Sequence, residues 1–132
     1  MSAEFHRTIR TEIDASRTVL EATLYSREAG FDETPSRIIG TAVSELVRNI
    51  LKYAVSGEIR LRRVKEMSRR GIEIEAIDRG PGIPDCEAAM SDHFSSGGTL
   101  GMGLPGVKRM MDEFSLESTP GEGTRVTACK WI

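Results

Sequence analysis

Apolar and polar positions change their period several times along the 132 residues, and each change marks a predicted element. Phe5, Arg7, Ile9 and Thr11 alternate with His6, Thr8 and Arg10, which is the period of a strand. Asp14 or Ser16 is placed to cap a helix reaching Ala29, where Gly30 stops it. Thr34-Pro35 restarts helix, because proline fits the first turn. That second helix runs to about Ala54 and turns Ile39, Val43, Leu46, Ile50 and Ala54 toward a core. Period two returns from Glu58 to Val64, with Ile59, Leu61 and Arg63 on one side. It returns again at Ile72, Ile74, Ala76 and Asp78, with a turn expected at Ser68 to Gly71. Gly80, Pro81, Gly82 and Pro84 then break regular structure. A short helix is expected over Asp85 to Met90 and a mobile Ser/Gly loop over His93 to Thr99. Leu104, Val107, Met110, Met111 and Phe114 have helical spacing. Ser115 to Ser118 and Thr124 to Ile132 read as closing strands around a turn at Pro120-Gly121.

The order is strand, two helices, two strands, loop, helix, two strands. It predicts an α+β fold, a two-layer sandwich of a mixed, mostly antiparallel sheet with helices on one face, in one domain over residues 1–132. A hydrophobic share of 39% supplies a modest core. The net charge of −2 does not call for nucleic acid. Arg60, Arg62, Arg63, Lys65, Arg69 and Arg70 cluster as the solvated rim of a hairpin, with a docking patch as the alternative. Cys86 and Cys129 are far apart and lack metal-ligand spacing, so two free thiols in a reducing cytoplasm are expected. No apolar run is long enough for a bilayer and the N-terminus lacks a signal core, which predicts a cytoplasmic protein with no membrane partner.

Four boxes carry the chemistry. Glu45, Asn49 and Lys52 share one edge of the second helix. There, Asn49 can offer Mg²⁺ a hard neutral oxygen, Glu45 can take a proton from an attacking hydroxyl, and Lys52 can neutralise phosphate charge, although taken alone the pattern is equally that of an ordinary solvated helix edge. Asp78 ends a strand, where a half-buried carboxylate needs a donor and the exocyclic amine of adenine supplies one. Gly80 and Gly82 let backbone approach a flat ring, although Asp-Arg-Gly-Pro-Gly is equally a plain turn. Gly101-Met102-Gly103-Leu104-Pro105-Gly106 matches the letters of the dinucleotide fingerprint, but Phe94 to Thr99 before it is no strand. What survives is a glycine-led helix start whose amides attract phosphate. Gly121-Glu122-Gly123-Thr124 is a hairpin turn whose functional reading needs Thr124 to reach back toward Asp78.

In this order the boxes resemble the N, G1, G2 and G3 boxes of the GHKL ATPases, which include histidine kinases, gyrase, Hsp90 and MutL. Ser44 to Ile50, Asp78 to Asp85 and Leu100 to Phe114 are similar to the RsbT group of small serine/threonine kinases, as is the ending Thr127 to Trp131. The resemblance implies a Bergerat-type ATP fold using ATP and Mg²⁺. It implies phosphorylation of a STAS-domain antagonist, often within a stressosome, and activation of a downstream output protein such as a phosphatase by the released kinase. By the same resemblance Glu45 is the base, Asn49 the Mg²⁺ ligand and Asp78 the adenine acceptor. Gly80, Gly82, Ile83, Gly101, Met102, Gly103, Leu104, Gly106 and Thr124 shape the nucleotide site, with Ser95, Ser96 and Thr99 in the lid. The serines and glycines of Phe94 to Leu100 are slightly rearranged relative to the family, so the lid positions are the loosest part of the transfer.

The favoured expectation is a kinase acting on a protein hydroxyl. A nucleotide-dependent module that sequesters a regulator, such as a sigma factor, is the alternative. A bare ATPase fragment of a larger machine is a third reading, against which the absence of a recognisable transducer domain argues. His6 falls on a predicted strand and His93 in the lid, with no helical dimerisation segment, which argues against a histidine autokinase.

Overall fold

The computed structural model describes residues 4–80 and 103–132. Expectations for Gly82, Ile83, Cys86, Ser95, Ser96, Thr99, Gly101 and Met102, and for the helix over Asp85 to Met90, lie outside the described residues. The chain runs β1 (Glu4–Ile9), α1 (Glu12–Glu28), α2 (Glu33–Tyr53), β2 (Gly57–Glu66), β3 (Arg69–Asp78), α3 (Gly103–Met110), β4 (Glu113–Thr119) and β5 (Gly123–Trp131). The strands form one sheet in the order β1-β2-β3-β5-β4. Every neighbouring pair is antiparallel, so the sheet is wholly rather than mostly so.

Local chemistry explains the boundaries, including those that depart from the sequence pattern. β1 stops at Ile9 because Thr11 caps α1. Thr11 Oγ1 accepts from the Asp14 amide at 3.1 Å, and Asp14 Oδ2 accepts from the Thr11 and Arg10 amides at 3.1 and 3.0 Å. This reciprocal capping box satisfies otherwise orphaned donors, so Thr11 rather than Asp14 or Ser16 starts the helix. The β2–β3 turn is Met67-Ser68, with Glu66 opposite Arg69 and Met67 at φ +54°. A two-residue hairpin suits the twist of paired strands, so Arg69 to Gly71 are already strand.

α3 ends at Met110, short of Phe114. Lys130 Nζ donates to the Met110 carbonyl at 3.1 Å, and the Asp112 amide donates to the Cys129 carbonyl at 2.9 Å. β5 thus draws the chain into the sheet, and Phe114 reaches the core from β4 opposite Ala128. The core lies between the helices and one sheet face. Ile39, Val43, Leu46 and Ile50 of α2 meet Ile59 and Leu61 of β2, Ile72 and Ile74 of β3, and Val126 and Ala128 of β5. No described helix is long and apolar enough to cross a membrane.

Candidate functional site

α2 crosses the sheet so that its C-terminal half lies over the ends of β3 and β5. Strand register sets Asp78, the last residue of β3, beside Thr124 of β5. The overlap leaves a narrow crevice lined by Leu46, Asn49, Ile50, Tyr53, Ala76, Asp78, Thr124 and Val126. Its walls are aliphatic apart from Tyr53, with an amide, a carboxylate and a hydroxyl at the rim. Its volume of about 20 Å³ holds little more than one water.

Close backbone packing shapes the rim. Asp78 Oδ1 accepts from the Gly80 amide at 2.9 Å, closing a tight turn. A Cβ at Gly80 would lie 2.8 Å from Ala54 Cβ and 2.9 Å from the Tyr53 carbonyl oxygen. The missing side chain is what lets the turn seat on the end of α2. Gly123 has φ +126°, and a Cβ there would strike the Asp78 carbonyl. Only glycine relieves both the backbone strain and the clash at this strand crossing. Thr124 Oγ1 lies 2.9 Å from Ser118 Oγ, so its hydroxyl is held by β4 while its position is beside Asp78.

Glu45, Asn49 and Lys52 share a helix edge but sit at three depths. Glu45 is buried and Asn49 half-buried, while Lys52 is exposed with its ammonium 5.2 Å from the Tyr53 ring centroid. The cause is α3, which packs against α2 and covers Glu45. Glu45 Oε2 accepts from the Gly103 amide at 3.0 Å, and Oε1 lies 3.3 Å from Arg48 Nη1. Two donors offset the cost of burying this carboxylate. Gly103 opens α3 with φ +49°, and Leu104 and Gly106 are buried behind it.

The structure therefore brings Asn49, Asp78 and Thr124 to one crevice, with Gly80 at its rim and Glu45, Gly103, Leu104 and Gly106 at the α2–α3 contact. Lys52 is not in the crevice wall. Sequence reasoning missed Tyr53 and Arg48. The second had a signal, since residues three apart on a helix are neighbours. Among the described residues no group of three or more His, Cys, Asp or Glu is arranged to hold a metal. The crevice instead offers the carboxamide of Asn49 beside the carboxylate of Asp78, too few oxygens for a cation held by protein alone but compatible with one that keeps other ligands.

Four arginines of the basic hairpin are engaged within the fold. Arg60 bonds Glu75 at 3.3 Å, and its Nε lies 3.0 Å from Glu4 Oε1. That Nε is buried and forms no hydrogen bond, so the Glu4 contact is electrostatic. Arg62 Nε donates to Glu73 at 2.9 Å. Arg63 lies over the ring of Tyr25, and Arg69 over that of Trp131.

Residues 34–131 match the family model of histidine kinase-, DNA gyrase B- and HSP90-like ATPases. The chain is 51% identical over 107 residues to the serine/threonine-protein kinase RsbT of Bacillus subtilis (strain 168), covering 81% of this chain and 80% of that one. It is 37% identical over 121 residues to the anti-sigma F factor of Thermoanaerobacter sp. (strain X514), covering 89% and 83%. A solved histidine kinase domain, from the blue-light activated kinase of Erythrobacter litoralis EL346, shares the fold with a TM-score of 0.54 at 20% identity. That alignment covers 89% of this chain and 59% of the solved one.

Proposed function

Because this chain belongs to the histidine kinase-, DNA gyrase B- and HSP90-like ATPase family, we propose that its crevice binds ATP and that it transfers the γ-phosphoryl group to a serine or threonine of a protein. The observation that carries this reading is the convergence of Asn49, Asp78 and Thr124 on one crevice, with the buried Glu45 one helical turn from Asn49. The similarity to a serine/threonine kinase supports the choice of acceptor.

Asp78 spends Oδ1 on Gly80, and Oδ2 accepts from the adenine amine. Leu46, Ile50, Ala76 and Val126 cover the ring faces, and the crevice opens to admit them. Asn49 would hold magnesium through its carboxamide oxygen, and the bound ion would neutralise triphosphate charge. By the family resemblance Gly101, Gly103 and Gly106 are assigned to the phosphate end, and Gly82, Ile83, Met102 and Leu104 to the rest of the nucleotide site. By the family resemblance Ser95, Ser96 and Thr99 are assigned to the lid, whose role would be to keep water out so that transfer outruns hydrolysis. Lys52 moves in from solvent to meet phosphate charge. Glu45 takes the hydroxyl proton as the acceptor oxygen bonds to the γ-phosphorus and the bond to the ADP oxygen breaks. Catalysis is then mainly positioning and charge neutralisation.

The acceptor in this proposal is a STAS-domain antagonist within a partner-switching, stressosome-type module in the cytoplasm. The kinase released from it activates an output protein such as a phosphatase. A second reading rests on the anti-sigma F relatives. In it, nucleotide occupancy only sets the shape of a surface that sequesters a regulator. Labelled ATP, Mg²⁺ and a STAS-domain protein separate the two. Label should appear on the STAS-domain protein. Glu45→Gln keeps an acceptor for the Gly103 amide but loses the base, so transfer should fall about 10²-fold or more while ATP binding persists. Failure of the folded protein to take up ATP would sink both readings. Partner binding without any transfer would favour the second.

A further inference from the structure

We propose that Arg48 is a positioning residue for phosphoryl transfer, acting through Glu45. The inference rests on Glu45 being the base. Both carboxylate oxygens of Glu45 are held, Oε2 by the Gly103 amide at 3.0 Å and Oε1 by Arg48 Nη1 at 3.3 Å. One donor comes from the start of α3 and the other from α2 itself, so the carboxylate plane is set by two elements at once. The Gly103 bond fixes one oxygen of a group whose terminal torsion has broad preferences. A second donor at Oε1 narrows that torsion further.

The placement of Arg48 separates this role from nucleotide binding. α2 carries two concave surfaces. The crevice takes Leu46, Asn49, Ile50 and Tyr53. A groove shared with α1 takes Ser44, Val47, Arg48 and Leu51. At about 100° per residue Glu45 falls between these faces on the side of α3. Arg48 thus steers the carboxylate from the side away from the adenine end, without lining the crevice. Its side chain is 52% exposed against 8% for Glu45, so Arg48 itself rehydrates at little cost, while the buried carboxylate keeps the Gly103 amide as a donor when Arg48 is removed.

The test measures single-turnover transfer from labelled ATP-Mg²⁺ to the STAS-domain protein, using the full chain. Arg48→Ala should lower the transfer rate roughly 10- to 100-fold, with the ATP dissociation constant unchanged and the melting temperature lowered no more than by Glu45→Gln. Arg48→Lys should restore part of the rate, since a point charge replaces a fork but keeps the attraction. In a Glu45→Gln background, Arg48→Ala should cost little more, because the two residues act as one unit. Wild-type transfer by Arg48→Ala would overturn the inference and leave the base assignment standing. A full additional loss in the Glu45→Gln background would do the same, placing Arg48's action elsewhere. Wild-type transfer by Glu45→Gln would overturn the base assignment and this inference with it.

Discussion

The two faces of the sheet exclude water by different physics, and neighbouring residues of β3 display the contrast. Ile74 points at the helices and is fully buried among aliphatic side chains. Glu75 points to the other face and is 7% exposed. No described helix covers it; arginines do. Glu75 bonds Arg60 on β2 and Arg125 on β5, and a charged lattice of Glu4, Arg62 and Glu73 extends around it. The helix face gains from leaving water, whereas the lattice trades hydration for ion pairs and gains little net. The apolar face can therefore carry a site that depends on shape, while the ionic face keeps an uncovered sheet from presenting a greasy surface.

The comparison is sharpest in stability. Ile74→Ala should cost about 2–5 kcal/mol in urea unfolding, with little dependence on salt. A loss under about 1 kcal/mol would mean that the covered face is loosely packed. Glu75→Ala should cost less, about 1–2 kcal/mol, because the arginines left behind are 40% and 54% exposed and rehydrate. That loss should shrink in 1 M salt, where screening acts over only about 3 Å. Equal losses for the two variants, both indifferent to salt, would break the distinction.

Two titrations probe the margins. Arg7 binds Glu21 across the β1–α1 contact, with Nε to Oε1 at 3.1 Å and Nη2 to Oε2 at 3.0 Å. The Arg7 hydrogen bond holds Glu21 below the ordinary 4.5, against the opposing effect of burial. As pH falls, the unfolded chain therefore binds the proton first. The contribution is complete above about pH 4.5 and is lost as pH drops through the folded value. Arg7→Met should flatten that part of the acid limb of the melting curve, and an unchanged limb would remove Glu21 from the account.

The smallest effect at neutral pH concerns Cys129. Burial, then Glu113, Glu73 and Asp112, push its thiol up to about 12. The folded protein should alkylate there far more slowly than the unfolded chain. Stability should also decline as pH rises from about 9 toward 12, since the unfolded thiol releases its proton first. Rapid labelling of Cys129 in the native protein would show that this part of the polar face is open.

Element types were legible where the period was long and local. The α2 stripe, the β2 and β3 alternation and the α+β order all follow from side-chain direction on helices and strands, which needs no distant partner. Boundaries were less legible. Phe114 keeps helical spacing but is strand, because β5 holds the residues around it. Thr11 keeps strand alternation but is a cap, because Asp14 returns its hydrogen bond.

The candidate site divides in the same way. Its residue types and their order along the chain were written in the sequence, as was the shared edge of Glu45, Asn49 and Lys52. Their depths were not. Burial of Glu45 depends on α3 packing against α2 from 58 residues away. The pairing of Asp78 with Thr124 depends on β5 lying beside β3. Periodicity carries information over a few residues, within one helix or strand. Which carboxylate loses its water, which arginine is neutralised and which amide faces a crevice are set by contacts between segments, and these exist only once the sheet and helices have closed on one another.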